Sequence, residues 1–154
     1  VLLVGSDVVA YGAPRSDGRS WRQWAQTELA LDPARTHWLG ALQTEAYHQV
    51  LACSQAHLYL TVPFVLSWSL LEAMAAGCSI VASATAPVQE VLKDGISALL
   101  VDFFDPEAQA AAIERLLVDA ALSARLATAA QLQAHAYSHA SGLDAWQCLI
   151  ATGG

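Results

Sequence analysis

Basic side chains are scarce in this chain: seven Lys and Arg stand against fourteen Asp and Glu, giving a formal net charge of -7, and the bases are scattered. Nucleic acid is therefore not an expected partner, since gripping a phosphate backbone takes clustered Lys and Arg. Cysteine is sparse too. Cys53, Cys78 and Cys148 are odd in number and fit no C-x-x-C spacing, so neither a disulfide framework nor a zinc site is expected, and a reducing, cytoplasmic setting fits. The hydrophobic fraction is 55%, inflated by alanine, yet no uninterrupted apolar run reaches the about 18 residues of a membrane span. Val1 is preceded by no initiator Met, basic leader or cleavage site, and the chain reads as an excised piece of a longer one. A G-x-G-x-x-G fingerprint is missing, which argues against a nicotinamide dehydrogenase. Ser67 sits in no G-x-S-x-G elbow, which sets a hydrolase aside.

What is present is an alternation of short apolar runs with helical patterns. A length of 154 residues suits one compact domain with one core. Val1 to Gly5 reads as a buried strand, followed by a turn-rich loop carrying Asp7, Arg15, Asp17 and Arg19. Ser20 can cap a helix to about Leu31, with Trp21, Trp24, Ala25 and Leu29 or Leu31 on its buried side. Strands follow at Arg35 to Gly40 and His57 to Thr61, separated by a helix that Thr44 can cap and that buries Tyr47, Val50 and Leu51. In the second of these strands Leu58 and Leu60 alternate against His57 and Tyr59, and Pro63 stops the run.

A helix from about Ser69 to Ala76 ends at Gly77, and Ser79 to Ser83 and Ser97 to Val101 supply the last two strands. Asp105, Pro106 and Glu107 open a helix that buries Ile113, Leu116 and Leu117, and helical patterns at about Ala121 to Tyr137 and Gly142 to Ile150 close the chain. Five strands alternating with helices indicate an α/β fold, a doubly wound parallel sheet with helices on both faces.

The stretch from Tyr59 to Gly77 carries the chemistry. It passes from strand through turn into helix, the junction at which open parallel sheets bind ligands. Glu72 has two readings. Ser69-x-x-Glu72 matches a capping box, in which the glutamate reaches back to the cap amide. Alternatively the carboxylate accepts hydrogen bonds from a vicinal diol such as a ribose, while helix-start amides hold a phosphate. His135 and His139 stand four apart, a spacing that can hold metal on a helix, but no third ligand is near in sequence. Asp7 and Asp17 read as solvated turn residues.

The run LLEAMAAG, the strand SIVAS, the loop TAPVQEVLKDG, the strand SALLVDF and the helix opened by DPE resemble, in order and spacing, the C-terminal, nucleotide-sugar-binding half of GT-B glycosyltransferases of family 4. The likeness extends more weakly through VLLVG and RTHWLG, and so covers nearly the whole chain. It implies a Rossmann-like domain that binds a nucleotide-diphosphate sugar, with the acceptor held by an N-terminal domain absent from this sequence. No metal or other cofactor is implied. Glu72 would bind the nucleotide ribose. Main-chain groups of Ser67, Trp68, Ser69, Leu70 and Leu71 would face the diphosphate or sugar, and those of Leu39, Gly40 and Ala41 the nucleobase. Gly40 is equally well read as a strand-ending turn.

The sequence departs from the family's pattern in two places. A first glutamate, ahead of the turn, is replaced by Phe64, and the glycine-rich turn becomes Val65, Leu66, Ser67 and Trp68. The family's first strand, with its Arg and Lys pair, has no counterpart, and Arg15 or Arg19 could supply phosphate charge instead. In the order 3-2-1-4-5-6 that strand is central. No residue is a convincing general base, so this chain alone is expected to lack transferase activity. A non-catalytic binding domain and a nucleotide-sugar epimerase are the rival readings. The expected setting is cytoplasmic, with peripheral membrane attachment of a full-length protein left open.

Overall fold

The computed structural model describes residues 1–9, 13–61 and 66–152, and its chain divides into two compact units, Val1–Val50 and Leu51–Gly154. Pro63, Phe64 and Val65 lie outside the described residues.

In the first unit, β1 (Leu2–Val4) pairs in parallel with β2 (His37–Gly40). Between them runs α1 (Trp21–Glu28), because parallel neighbours need a crossover rather than a hairpin. Ser20 caps α1 with a full capping box: its hydroxyl accepts from the Gln23 amide, and the Gln23 side chain accepts from the Ser20 amide. The helix ends at Glu28, three residues before Leu31, as Leu29 turns extended. The expected apolar stripe is not buried: Trp21, Leu29 and Leu31 are 54%, 45% and 38% exposed, and Trp24 and Ala25 are only half-buried. None of the described residues of this unit is fully buried. α2 (Thr44–Ala52) runs across the division between the units.

The second unit contains β3 (His57–Tyr59), α3 (Trp68–Ala75), β4 (Ile80–Ser83), α4 (Ala86–Val91), β5 (Leu99–Val101), α5 (Pro106–Val118), α6 (Ala120–Ala134) and α7 (His139–Ala151), with a 3-10 turn over His135–Tyr137. Its strands form a parallel sheet in the order β3-β4-β5. All four residues of β4 are buried, as a central parallel strand covered on both faces requires. Leu70, Ala73 and Met74 of α3 and Val88, Val91 and Leu92 at α4 are buried as well, and Val81, Leu99, Ala112, Leu116, Leu122 and Leu126 form a continuous cluster. Asp105 caps α5 by accepting from the Ala108 amide, with Pro106 at the first helical position.

The α/β class and the five strands match the sequence reading, with parallel sheets flanked by helices. Among the described residues the strands fall into two sheets, β1-β2 and β3-β4-β5, instead of one. Within α5, Leu116 is buried but Leu117 is 53% exposed, so the core-facing stripe is narrower than the apolar spacing suggests. In β3 the alternation turns His57 and Tyr59 inward. Tyr59 is buried and His57 half-buried, while Leu58 and Leu60 are 41% and 39% exposed.

Candidate functional site

The inward position of Tyr59 in β3 goes with a hydrogen bond. Burying a phenol is costly unless its hydroxyl is satisfied, and the Tyr59 hydroxyl accepts from the Ser67 amide at 3.0 Å. That bond ties the carboxyl end of β3 to the start of α3. A second tie lies beside it: buried Ser83, at the end of β4, accepts from the Thr61 amide and donates to the Thr61 carbonyl, both at 3.0 Å. Neither Tyr59 nor Ser83 was singled out from the sequence. The only hint was a polar residue at each strand's last position, next to the turn.

These ties fix which serine caps α3. Ser67 has extended backbone angles and its hydroxyl accepts from the Ser69 amide at 3.3 Å, while the Ser69 hydroxyl donates to Ser67 Oγ at 2.9 Å. The helix thus begins at Trp68, and Ser69 is already inside its first turn. A capping box between Ser69 and Glu72 is not formed, because with Ser67 as the cap the reciprocal position is Leu70, and Glu72 lies beyond it along the helix. Glu72 is half-buried, and its carboxylate makes no hydrogen bond or ion pair with any described residue.

The amides singled out at this junction differ in what they have left to offer. Ser67's donates to Tyr59, Ser69's to the Ser67 hydroxyl and Leu70's to the Ser67 carbonyl. Among the described residues the Trp68 amide has no acceptor, and its indole is 78% exposed. Leu71 lies half-buried in the first turn.

In the first unit, Gly40 ends β2 with φ of 68°, a left-handed conformation that favours glycine, and its carbonyl accepts from the Gly5 amide at 2.9 Å. An added Cβ would meet nothing within 4 Å, so the conformation alone explains the glycine. Leu39 and Ala41 flank it as exposed residues.

Arg15 and Arg19 converge on Asp17. Arg15 forks onto both Asp17 oxygens at 3.1 and 2.8 Å, and Arg19 reaches Asp17 Oδ2 at 2.9 Å and Glu28 at 3.0 Å. Two arginines are thus balanced by two carboxylates. The Arg15 hydrogen bond is the largest influence and, together with those of Arg19, holds the Asp17 carboxyl well below the usual carboxylate range against the opposing effect of desolvation. The Arg15 guanidinium also lies over Trp21 and Trp24, 4.8 and 5.1 Å from their ring centroids. The pair therefore fastens the loop to α1, with its charge already neutralised.

His135 and His139 do not share a helix: α6 ends at Ala134, and Ser138 caps α7 after the 3-10 turn. Among the described residues no three His, Cys, Asp or Glu side chains gather as a metal site would require. No helix among them is long and apolar enough to cross a membrane.

The chain is 43% identical over 68 residues to a D-inositol 3-phosphate glycosyltransferase of Salinispora tropica, a stretch that is 44% of this chain and 14% of that protein. Two solved structures share its fold. Anabaena Alr3699/HepE, solved in complex with UDP-glucose, superposes with a TM-score of 0.72 at 23% identity, over 86% of this chain and 35% of that one. A sucrose-phosphate synthase of Thermosynechococcus elongatus gives 0.70 at 22% identity, over 99% of this chain and 39% of that one. This chain thus spans well under two thirds of each. Residues 24–133, more than half of the sequence, match the family described as glycosyl transferases group 1, and the chain belongs to that family.

Proposed function

We propose that this chain is the donor-binding half of a glycosyltransferase, and that it holds a nucleotide-diphosphate sugar for transfer to an acceptor carried by an N-terminal domain outside this sequence. The observation that carries the reading is the carboxylate of Glu72, which has no partner among the described residues. With Ser67 as the cap, Glu72 has no capping-box role, and a half-buried carboxylate with no partner among the described residues is suited to accept both hydrogen bonds of a ribose diol. Family membership and the UDP-glucose bound by Alr3699/HepE support the same ligand class.

In the reaction the bond between the anomeric carbon and the diphosphate oxygen breaks, and an acceptor hydroxyl forms the new bond to that carbon. Charge accumulates on the departing diphosphate. The Trp68 amide and the positive end of α3 would stabilise it, as preorganised dipoles do at low cost. Arg15 and Arg19 are left to their Asp17 cluster in this reading, because drawing either away would unbalance a carboxylate. The nucleobase falls to the main chain at Leu39, Gly40 and Ala41. No metal enters the scheme. The general base is assigned to the other domain, so this chain alone would transfer no sugar.

Calorimetric titration with UDP, GDP and ADP tests the reading. One of the three should bind, and Glu72→Ala should weaken it about tenfold or more. The melting temperature should stay unchanged, because no cap is lost. Binding that survives Glu72→Ala with lowered stability would return Glu72 to a structural role. Absence of binding to all three would favour a non-catalytic domain.

A further inference from the structure

The first unit contains a cleft of about 450 Å³ that none of the roles above uses. It opens at the carboxyl end of β1, under the loop from Gly5 to Val9, and is walled by Trp21 and Arg22 of α1 and by Trp38 of β2. This volume lies within the range of small-molecule sites and would take one or two six-membered rings.

The chemistry of its walls is specific. The Arg22 guanidinium lies over the Trp38 ring, 5.5 Å from its centroid, so the cation and its N–H donors are placed beside an aromatic face. Unlike Arg15 and Arg19, Arg22 makes no ion pair among the described residues. Asp7, on the facing loop, is also without a hydrogen bond or ion pair among them. Trp21, 54% exposed at the start of α1, adds a second aromatic surface.

One donor fork, one acceptor and two indoles restrict what fits. A phosphate or carboxylate ligand would gain Arg22 but be repelled by Asp7. An apolar ligand would strip water from both charges and give nothing back. A neutral ring with adjacent hydroxyls suits every wall, since each hydroxyl both donates and accepts, and the C–H face of such a ring packs on an indole. We infer that this cleft is a binding site for a neutral polyhydroxylated ring, a pyranose or cyclitol unit, with Asp7 and Arg22 taking its hydroxyls and Trp21 its apolar face.

None of the residues lining this cleft is assigned a role in holding the nucleotide sugar, so its test is separate as well. Ligand-observed saturation-transfer NMR on the full chain would be titrated with methyl glucoside, maltose and myo-inositol, with uridine and inorganic phosphate as contrasts. At least one ring polyol should saturate in the millimolar range, more tightly than uridine or phosphate. Asp7→Asn and Trp21→Ala should each weaken it about tenfold, and Glu72→Ala should leave it unchanged. Asp7→Asn guards against the chance that Trp21→Ala disturbs the helix, because Asp7 is an exposed loop residue with no structural bond among the described residues. No saturable polyol binding, affinity indifferent to Asp7→Asn, or tighter binding of uridine or phosphate would overturn the assignment.

Discussion

At the start of α3 the cap falls to Ser67 because its backbone is extended and its amide is already held by the Tyr59 hydroxyl, which leaves Ser69 to enter the first turn. The Ser67 hydroxyl then serves twice, accepting from both the amide and the hydroxyl of Ser69. Ser67→Ala removes the acceptor for an orphan helix amide and is expected to cost about 1 kcal/mol. Ser69→Ala removes only a donor that solvent can replace, so its cost should be a few tenths of a kcal/mol. Urea denaturation of the two variants checks the order, and the reverse order would mean that the cap sits at Ser69 after all. The same distinction matters for function, since a cap at Ser69 would place Glu72 three residues on, back in reach of the cap amide.

At the scale of elements, β3 is the strand whose sequence pattern leaves most to the packing. Alternation alone gives the period of two, with Leu58 and Leu60 on one face and His57 and Tyr59 on the other, but not which face is inward. Tertiary bonds go with the inward face, as Tyr59 gains the Ser67 amide and His57 docks its own amide on the Ser79 carbonyl at 2.8 Å. The strands and helices themselves were legible from apolar runs, glycines at their ends and caps such as Asp105. What the sequence could not resolve was the choice between overlapping caps, as at Ser67 and Ser69, or between adjacent apolar positions, as at Leu116 and Leu117. The Tyr59 hydroxyl decides the first, and the cluster that Leu116 joins with Val81 and Leu99 decides the second. The candidate site was legible only to the level of Glu72 and its turn; Tyr59, Ser83 and the Arg22 cleft depend on neighbours brought together by folding.

Burial of β3 also has a pH signature, because desolvation pushes the His57 imidazole below its ordinary value of 6.5. The unfolded chain then takes up this proton more readily than the folded one. Stability from this group is full above about pH 6.5, starts to fall as the pH drops through that value, and is wholly lost below the folded pKa. The melting temperature should therefore decline between pH 8 and 5, and His57→Gln should flatten that decline. An identical slope in the variant would show that His57 is not the group responsible.

For the molecule as a whole, stability is distributed unevenly between the two compact units. Residues from Leu51 onward bury β4, most of the inward side of α3, and the cluster around Leu116 and Leu126. In the first unit no described residue is fully buried, and what holds it is largely polar: a capping box, the Asp17 cluster with its two arginines, and guanidinium groups lying over Trp21, Trp24 and Trp38. Exposed ion pairs contribute little and weaken with salt, whereas a buried apolar core opens only with global unfolding. Hydrogen exchange followed by mass spectrometry should show slowest exchange in β4 and α6, with β1, α1 and β2 exchanging at least about tenfold faster. Raising the salt concentration should speed the first unit further while leaving β4 unaffected. Equal protection across both units, insensitive to salt, would mean that they open together as one cooperative body, and that the polar fastenings of the first unit are not what limits its opening.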